Sequence, residues 1–229
     1  RNHALLWGSV TGEGLGKEDR AWQLCRQYIE RRVAGVFFAP LEFTSPGDDI
    51  NHRIARALDE ARIPVVLLDR DVTPYPRRGH LVGIDNRRAG FLITEHVLRL
   101  GSRRIAFVAQ PNAAATVDAR EAGYREALYA ADVPLDRALI HRLDPSDSTS
   151  VRHLMASARP DAVVCANDRT AGRLMQTLIK LDYGVPKDVR LVGIDDVEFA
   201  ALLPVPLTTL RQPSRQIGDA ALGAMLERV

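Results

Sequence analysis

The chain has 229 residues, of which 46% are hydrophobic and 26% are charged, the balance of an ordinary globular protein. That length is enough for a substantial core in one or two domains. The formal net charge of +2 gives no sign of the clustered basic surface that nucleic-acid binding requires. No run of about 18 apolar residues is present, so a transmembrane helix is not expected.

The first part of the chain alternates predicted strands with predicted helices. Strands are predicted at 4–10, 33–39, 64–69 and 80–85, and helices at 17–32 and 48–62. The runs VAGVFFA (33–39) and PVVLLD (64–69) are continuously apolar, which is typical of strands buried on both faces. In the two helices, apolar residues recur at helical spacing.

The same alternation continues to the end of the chain. Helices are predicted at 86–100, 117–131, 148–158 and 168–182, and strands at 104–109, 138–143, 161–166 and 189–195. Strands that alternate with helices predict an α/β fold, with parallel sheets covered by helices on both faces and right-handed crossovers. About eight strands are many for one twisted sheet, so two sheets are expected.

Two segments are natural places for the chain to cross between two lobes. LVGIDN (81–86) lies near one third of the length and TTLRQP (208–213) lies near the end, and each completes a predicted strand. The expected division is one lobe of residues 1–85 plus 212–229 and a second lobe of residues 86–211.

Familiar catalytic and cofactor motifs are not matched. GEGLGKED (12–19) lacks the glycine spacing and the Ser or Thr of a phosphate-binding loop, and it also fails the dinucleotide fingerprint. No G-x-S-x-G or H-E-x-x-H motif occurs, and the six histidines lack metal-ligand spacing. We therefore predict no cofactor, no metal and no catalytic residue. Cys25 and Cys165 are predicted to be buried thiols, with a disulfide as the alternative, which favours a reducing cytoplasm.

Polar residues follow several of the apolar runs. Asp69, Asp85, Asn167 and Asp195 all stand where a predicted strand ends. In open parallel sheets, ligands bind beyond the carboxyl ends of the strands, so these side chains are expected to converge on one cleft. Carboxylates that accept from hydroxyls, together with Arg and Asn donors, suit a neutral polyol.

Arg70, Arg120 and Gln212 complete the predicted set, and structural interpretations remain open for several members. Asp69 and Arg70 can form a local turn pair, and Arg120 can pair with Asp118 or Glu121 at the surface. A purely structural role also stays open for four residues. It is a turn or hinge at Asp85, a cap at Asp168 and at Asp196, and a backbone hydrogen bond at the crossover for Gln212.

The ordered set of motifs resembles the effector-binding portion of the lactose/galactose-repressor (LacI/GalR) family of bacterial transcription regulators, whose fold is shared with periplasmic sugar-binding proteins. The resemblance covers nearly the whole chain in the family's order. It is carried by RRVAGVFFAP, IPVVLLDRD, VGIDNRRAGFLITEHVLRLGSRRIAFV, DAREAGYREAL, PDAVVCANDRTAGRLMQTL, GVPKDVRLVGIDDVEFA and PLTTLRQPSRQIGDAAL.

The resemblance implies two flavodoxin-like lobes joined by crossovers, with a sugar or similar small effector bound between them. Matched to the family's motifs, the implied ligand contacts are Asp69, Arg70, Arg120, Asn167, Asp195 and Gln212. The helix-turn-helix module that precedes this portion in the family has no counterpart here. The family's first strand and first helix also have none, so the chain is expected to be part of a longer protein.

The expected function is a non-enzymatic, cytoplasmic sensor domain of a repressor, in which effector binding changes the orientation of the lobes. Operator DNA would be bound only through a helix-turn-helix module outside this chain, and no membrane partner is expected.

The apolar segment 196–210 contains two prolines that exclude a regular helix. By the resemblance, a homodimer is expected with Leu202, Leu203, Pro204 and Val205 near its interface.

Two other classes of protein remain as alternatives to the regulator. A periplasmic sugar-binding protein of a transporter would share the cleft but be monomeric and secreted. A small α/β enzyme is the third class, against which the failed phosphate-loop patterns count.

Overall fold

The computed structural model describes residues 4–8, 16–42, 44, 49–72 and 80–229. The chain divides into two compact units. Unit 1 comprises Arg1–Gly83 and Ser214–Val229, and unit 2 comprises Ile84–Pro213.

The regular elements alternate along the chain as the hydrophobic pattern predicts. The strands are β1 (Val36–Phe38), β2 (Val65–Leu68), β3 (His80–Val82), β4 (Ile105–Ala109), β5 (Ile140–Arg142), β6 (Ala162–Cys165), β7 (Arg190–Asp195) and β8 (Thr208–Arg211). The α-helices are α1 (Lys17–Glu30), α2 (Ile50–Glu60), α3 (Asn86–Arg99), α4 (Ala115–Ala130), α5 (Ser148–Ser157), α6 (Asp168–Lys180) and α7 (Ser214–Leu226). Short 3-10 turns span Arg137–Leu139 and Glu198–Leu202.

Unit 1 contains a parallel sheet of order β1-β2-β3. Successive side chains of a strand point to opposite faces, and β2 uses both. Val65 and Leu67 pack in a cluster with residues of α1 and α2, whereas Val66 packs with Ala221 and Met225 of α7. The sheet is therefore covered by helices on both faces.

Unit 2 contains a parallel sheet of order β5-β4-β6-β7-β8. Its central strands β4 and β6 are buried along their whole length. On one face, Phe107 packs in a cluster with residues of α3 and α4, while Val108 joins α5 and α6 on the other. Tyr124 of α4 donates its hydroxyl to the Ile105 carbonyl at 2.8 Å, so this large buried side chain keeps its polar atom bonded. The predicted α/β fold with parallel sheets is confirmed.

Two predicted strands differ in the structure. Residues 4–8 form no regular element, and Trp7 is 88% exposed. None of the described strands pairs with this segment, so it lacks the hydrogen-bonded neighbour that a strand requires. Residues 9 and 10 of that prediction lie outside the described residues. The predicted strand 138–143 begins instead with a 3-10 turn at Arg137–Leu139, and the ladder starts at Ile140.

Both cysteines are free and buried, Cys25 on α1 and Cys165 on β6. Burial raises the pKa of each thiol, which keeps both protonated. Among the described residues, no helix has the length and apolar character needed to span a membrane.

Candidate functional site

Arg120 is a buried, hydrogen-bonded side chain at the carboxyl edge of the unit 2 sheet. It comes from α4, and only 4% of its surface is exposed. Its Nε donates to Asn86 Oδ1 at 2.7 Å, and its Nη1 donates to the Ala166 carbonyl at 2.7 Å, directly after β6. A buried guanidinium is tolerated when its donors are bonded and its charge is paired, and Asp195 supplies the opposite charge.

Asp195 is the last residue of β7, and it brings two predicted site residues together. Its Oδ1 lies 3.4 Å from Arg120 Nη2 and accepts from Gln212 Nε2 at 2.7 Å. The backbone N–H of Gln212 also donates to the Asp195 carbonyl, at 3.4 Å. Gln212 therefore bonds the carboxylate as well as the backbone, so the interpretation that it serves only backbone hydrogen bonds is wrong.

The alternative pairing of Arg120 at the surface is also not found. Asp118 and Glu121 are bound instead by Arg142, whose Nη2 lies 2.8 Å from the first carboxylate and 2.5 Å from the second. Arg125 bonds Glu121 one turn along the same helix. The charged surface of α4 is thus satisfied without Arg120, whose guanidinium is bonded to Asn86 and Ala166 in the interior.

The helix cap that the sequence suggested for Asp168 is supplied by Asn167 instead. Asn167 caps α6 by accepting from the Thr170 N–H at 2.9 Å, and it lies next to the carbonyl that Arg120 binds. Asp168 is fully buried and accepts from Thr209 Oγ1 at 2.6 Å and from the Val197 N–H at 3.1 Å. Burial raises the pKa of the Asp168 carboxyl, although these hydrogen bonds oppose the shift. Asp168 thus connects α6 to the segment that follows β7 and to strand β8.

Asp85, for which a turn or hinge role was open, and Asp196, for which a capping role was open, also have clear partners. Asp85 caps α3 by accepting from the Arg88 N–H at 2.8 Å. Asp196 accepts from Arg211 Nε and pairs with that exposed guanidinium. Neither contacts Arg120 through a hydrogen bond in the described structure.

Asp69 and Arg70 form a separate group in unit 1, at the carboxyl end of β2. The Asp69 N–H donates to the Val82 carbonyl at 2.8 Å, which holds its backbone beside β3. Arg70 Nη1 donates to the Pro40 carbonyl at 2.5 Å, and Arg70 Nε lies 3.3 Å from both Glu42 Oε1 and Asp69 Oδ2. The local pairing of Asp69 with Arg70 is therefore present. Within the described residues, Asp69 Oδ1 is buried without a hydrogen-bond partner.

Sequence reasoning did not single out two residues that the structure adds. Glu42 follows the apolar run of β1 and pairs with Arg70, and Asn86 begins α3 and binds Arg120. Asn86 belongs to the LVGIDN segment, whereas Glu42 comes four residues after β1 ends at Phe38. Glu42 therefore does not directly follow a strand as Asp69 does, and the contacts of both Glu42 and Asn86 depend on tertiary packing.

Of the residues predicted at a dimer interface, Leu202 ends the 3-10 turn of unit 2 and the other three follow it. Leu202 is 78% exposed and Pro204 is exposed, whereas Leu203 and Val205 are half-buried against the cluster that includes α6. A partly exposed apolar segment of this kind is compatible with a protein interface.

The Arg120–Asp195–Gln212 group in unit 2 and the Asp69–Arg70 group in unit 1 can each recognise a ligand by hydrogen bonds. A guanidinium, carboxylates and side-chain amides stand at the strand ends, and a hydroxyl-bearing ligand can both donate to and accept from such groups. No group of three or more His, Cys, Asp or Glu side chains suited to a metal occurs in the described part of the chain.

Comparison with known proteins gives a consistent family. A model of the periplasmic binding protein-like domain matches residues 94–229. The HTH-type transcriptional regulator CelR of Thermobifida fusca is 30% identical over 233 residues, covering 97% of this chain and 68% of that protein. The HTH-type transcriptional repressor PurR of Vibrio atlanticus (strain LGP32) is 28% identical over 208 residues, covering 89% of this chain and 60% of that repressor.

A solved structure supports the same assignment. The complex of the transcriptional regulator CelR with cellobiose superposes with a TM-score of 0.77 at 28% identity, covering 92% of this chain and 63% of that one. The chain thus spans less than two thirds of the length of the PurR repressor and of this CelR structure. These relatives are named as regulators of transcription and not as enzymes. From the family match and the motifs in their order, the chain belongs to the periplasmic binding protein-like domain family, as an effector-binding domain of the LacI/GalR type.

Proposed function

We propose that this chain is the effector-sensing portion of a cytoplasmic bacterial transcription regulator and that it binds a sugar or a similar small polar ligand. The observation that carries the proposal is the Arg120–Asp195–Gln212 group in unit 2. A buried guanidinium beside a half-buried carboxylate and an amide offers donors and acceptors in fixed directions. This arrangement favours a ligand with hydroxyl groups over an apolar or strongly charged one.

Asn167, Asp69 and Arg70 complete the proposed ligand contacts. The side-chain oxygen of Asn167 is used by its helix cap, which leaves its NH₂ group as the donor for a ligand. The buried Asp69 Oδ1, with no hydrogen-bond partner among the described residues, is suited to accept from a ligand hydroxyl.

The relatives support a regulator over a transporter binding protein. They are transcriptional regulators, and the CelR structure was solved with cellobiose, which makes a sugar the first class of ligand to test. Effector binding would shift the population between arrangements of the two units, to the extent that its affinity for those arrangements differs. Operator DNA would be bound by a module outside this chain.

We also propose that the regulator acts as a homodimer with Leu202, Leu203, Pro204 and Val205 near a twofold interface. In such an interface each copy presents the same surface to the other. The exposure of Leu202 supports this proposal, because burial of a large apolar side chain against a partner contributes to association.

A ligand screen tests the proposed function. Thermal unfolding of the chain is followed with ribose, glucose, cellobiose and a nucleoside, and a binding sugar is expected to raise the unfolding temperature. At 100 times its dissociation constant, a ligand stabilises the folded chain by about 2.7 kcal/mol, which is a shift of a few degrees. No shift with any sugar would contradict the proposal.

Arg120→Ala is the decisive variant for the site. We expect it to weaken binding of the sugar found in the screen by about 1.5–3 kcal/mol, the range for hydrogen bonds to a charged group. Calorimetric titration measures the loss, and Arg125→Ala is the matched control, because Arg125 lies on the same helix and bonds Glu121. An unchanged affinity in a folded Arg120→Ala protein would remove Arg120 from the site.

A further inference from the structure

Asn86 stands at the first passage of the chain from one unit to the other. Unit 2 begins at Ile84, and Asn86 is the first residue of α3. The Asn86 side chain is buried, and its Nδ2 donates to the Ile84 carbonyl at 3.4 Å. Its Oδ1 accepts from Arg120 Nε at 2.7 Å. One amide therefore bonds both the passage segment and the guanidinium.

The guanidinium of Arg120 has its orientation fixed from two sides. Nε is bonded to Asn86 and Nη1 is bonded to the Ala166 carbonyl, so the plane of the group is defined. The helix that carries it is also fixed, because α3 and α4 approach closely at Gly90. A Cβ atom on Gly90 would lie 2.0 Å from the Arg120 carbonyl oxygen. The remaining N–H groups of Arg120 can then point only in directions set by Asn86 and Ala166.

A comparable connection exists at the second passage. Unit 2 ends at Pro213, one residue after Gln212, and Gln212 Nε2 donates to Asp195 Oδ1 at 2.7 Å. Because Asp195 Oδ1 also lies 3.4 Å from Arg120 Nη2, the Arg120–Asp195 pair is bonded to the segments at both passages.

We propose that Asn86 is a positioning residue, which orients Arg120 for the effector and connects the occupied site to the first passage segment. The proposal rests on the proposed function for its effector, but the orientation of Arg120 is a property of the unliganded chain. A ligand that bonds Arg120 or Asp195 changes the forces on this pair. The hydrogen bonds of Asn86 and Gln212 carry that change to the residues where the chain passes between units.

The first measurement uses no ligand. In the chain labelled with ¹⁵N-arginine, the Nε–H of Arg120 is expected to exchange slowly with water, because it is buried and bonded. Asn86→Ala should speed this exchange by about tenfold or more, the factor for loss of one hydrogen bond to a charged group. Asn86→Asp keeps an acceptor oxygen at the same place and should restore slow exchange.

A matched control separates positioning from a general loosening of the helix start. Asp85→Ala removes the cap of α3, since Asp85 accepts from the Arg88 N–H, and it leaves the Asn86–Arg120 bond in place. Slow exchange at Arg120 Nε–H is expected to persist in Asp85→Ala. If Asp85→Ala and Asn86→Ala speed the exchange equally, or if Asn86→Ala does not speed it, the positioning role is overturned.

The connection to the passage segment is tested by substituting Arg120 and measuring exchange at the passage segment itself. Arg120→Lys removes the Nε donor while keeping the charge, and amide hydrogen exchange of residues 84–88 should then become faster. Arg125→Lys, on the exposed side of the same helix, should leave that exchange unchanged. Unchanged exchange at 84–88 in Arg120→Lys would overturn the connection.

A final comparison distinguishes failure of this inference from failure of the proposed function. Cellobiose is titrated into the wild type, Asn86→Ala and Asn86→Asp, and roughly tenfold weaker binding is expected for Asn86→Ala alone. Equal binding by wild type and Asn86→Ala would overturn the positioning of Arg120 for ligand. If the wild type binds no sugar of the screen, the proposed function fails, and the two measurements without ligand still decide the role of Asn86.

Discussion

At the scale of single residues, His141 is an ionisable group that the candidate site does not use. It lies on β5, and its Nε2 is buried without a hydrogen-bond partner among the described residues. Burial lowers the pKa of His141 below 6.5, and nearby His153 lowers it further, whereas a hydrogen bond with the Ala138 backbone opposes the shift. The folded chain therefore binds a proton at His141 less readily than the unfolded chain does.

This difference predicts a loss of stability in mild acid. The contribution of His141 is fully present above pH 6.5 and is lost as the pH falls from 6.5 towards the lowered pKa, because the unfolded state then binds more protons. We expect His141→Gln to reduce the dependence of the urea midpoint on pH between 7.5 and 5.5.

His153→Gln is the control, because His153 is exposed on α5 and its removal takes away only a weak repulsion. A pH dependence that is the same in His141→Gln and the wild type would show that His141 does not titrate as inferred.

At the scale of elements, the packing of α3 on α4 depends on two glycines. A Cβ atom on Gly90 would lie 2.0 Å from the Arg120 carbonyl oxygen, and one on Gly123 would lie 1.9 Å from the Arg87 carbonyl oxygen. Such distances are far inside van der Waals contact, and the atoms met are backbone, which cannot rotate away. The two helices can lie this close only because neither position carries a side chain.

Gly90→Ala is therefore expected to destabilise unit 2 by about 1–3 kcal/mol or more, the usual cost of overpacking. Gly218→Ala is the matched control on α7. A Cβ there meets no described atom within 4 Å, so the better helix propensity of alanine should stabilise by about 0.5–1 kcal/mol. Urea unfolding followed by circular dichroism measures both changes, and similar midpoints for the two variants would contradict the close approach.

Sequence patterns predict elements of this kind better than they predict contacts between them. The predicted helix 168–182 and strand 161–166 correspond to α6 and β6 within two residues, because their periodicity and flanking residues are local signals. The segment 4–8 had an equally apolar pattern, but strand formation needs a partner that the pattern does not contain. The Asn86–Arg120 bond joins residues 34 positions apart, and no local signal encodes it.

At the scale of the whole molecule, the proposed dimer makes a clear prediction. The chain has a mass of 25.3 kDa, and sedimentation at micromolar concentration should give about twice that value. Leu202→Glu should produce the monomer, because it places a charge on a side chain that the interface would bury.

Tyr129→Glu provides the comparison for that variant. Tyr129 is 86% exposed on α4, so the substitution introduces the same charge at another exposed large side chain and should leave the dimer intact. A wild-type chain that sediments as a monomer would contradict the proposed interface, as would a Leu202→Glu protein that remains dimeric.

The backbone conformation of two strand-ending aspartates limits how this protein can evolve. Asp69 has a φ of 65° and Asp195 has a φ of 131°, both in the region that side chains with a Cβ seldom adopt. Asparagine and glycine fit the left-handed conformation of Asp69 at low cost, whereas at the φ of Asp195 only glycine is free of strain. A lineage that changes its effector would therefore retain these carboxylates, or exchange Asp69 for asparagine or glycine and Asp195 for glycine. Adaptation to a new ligand would have to come from neighbours such as Glu42, whose backbone does not have this restriction.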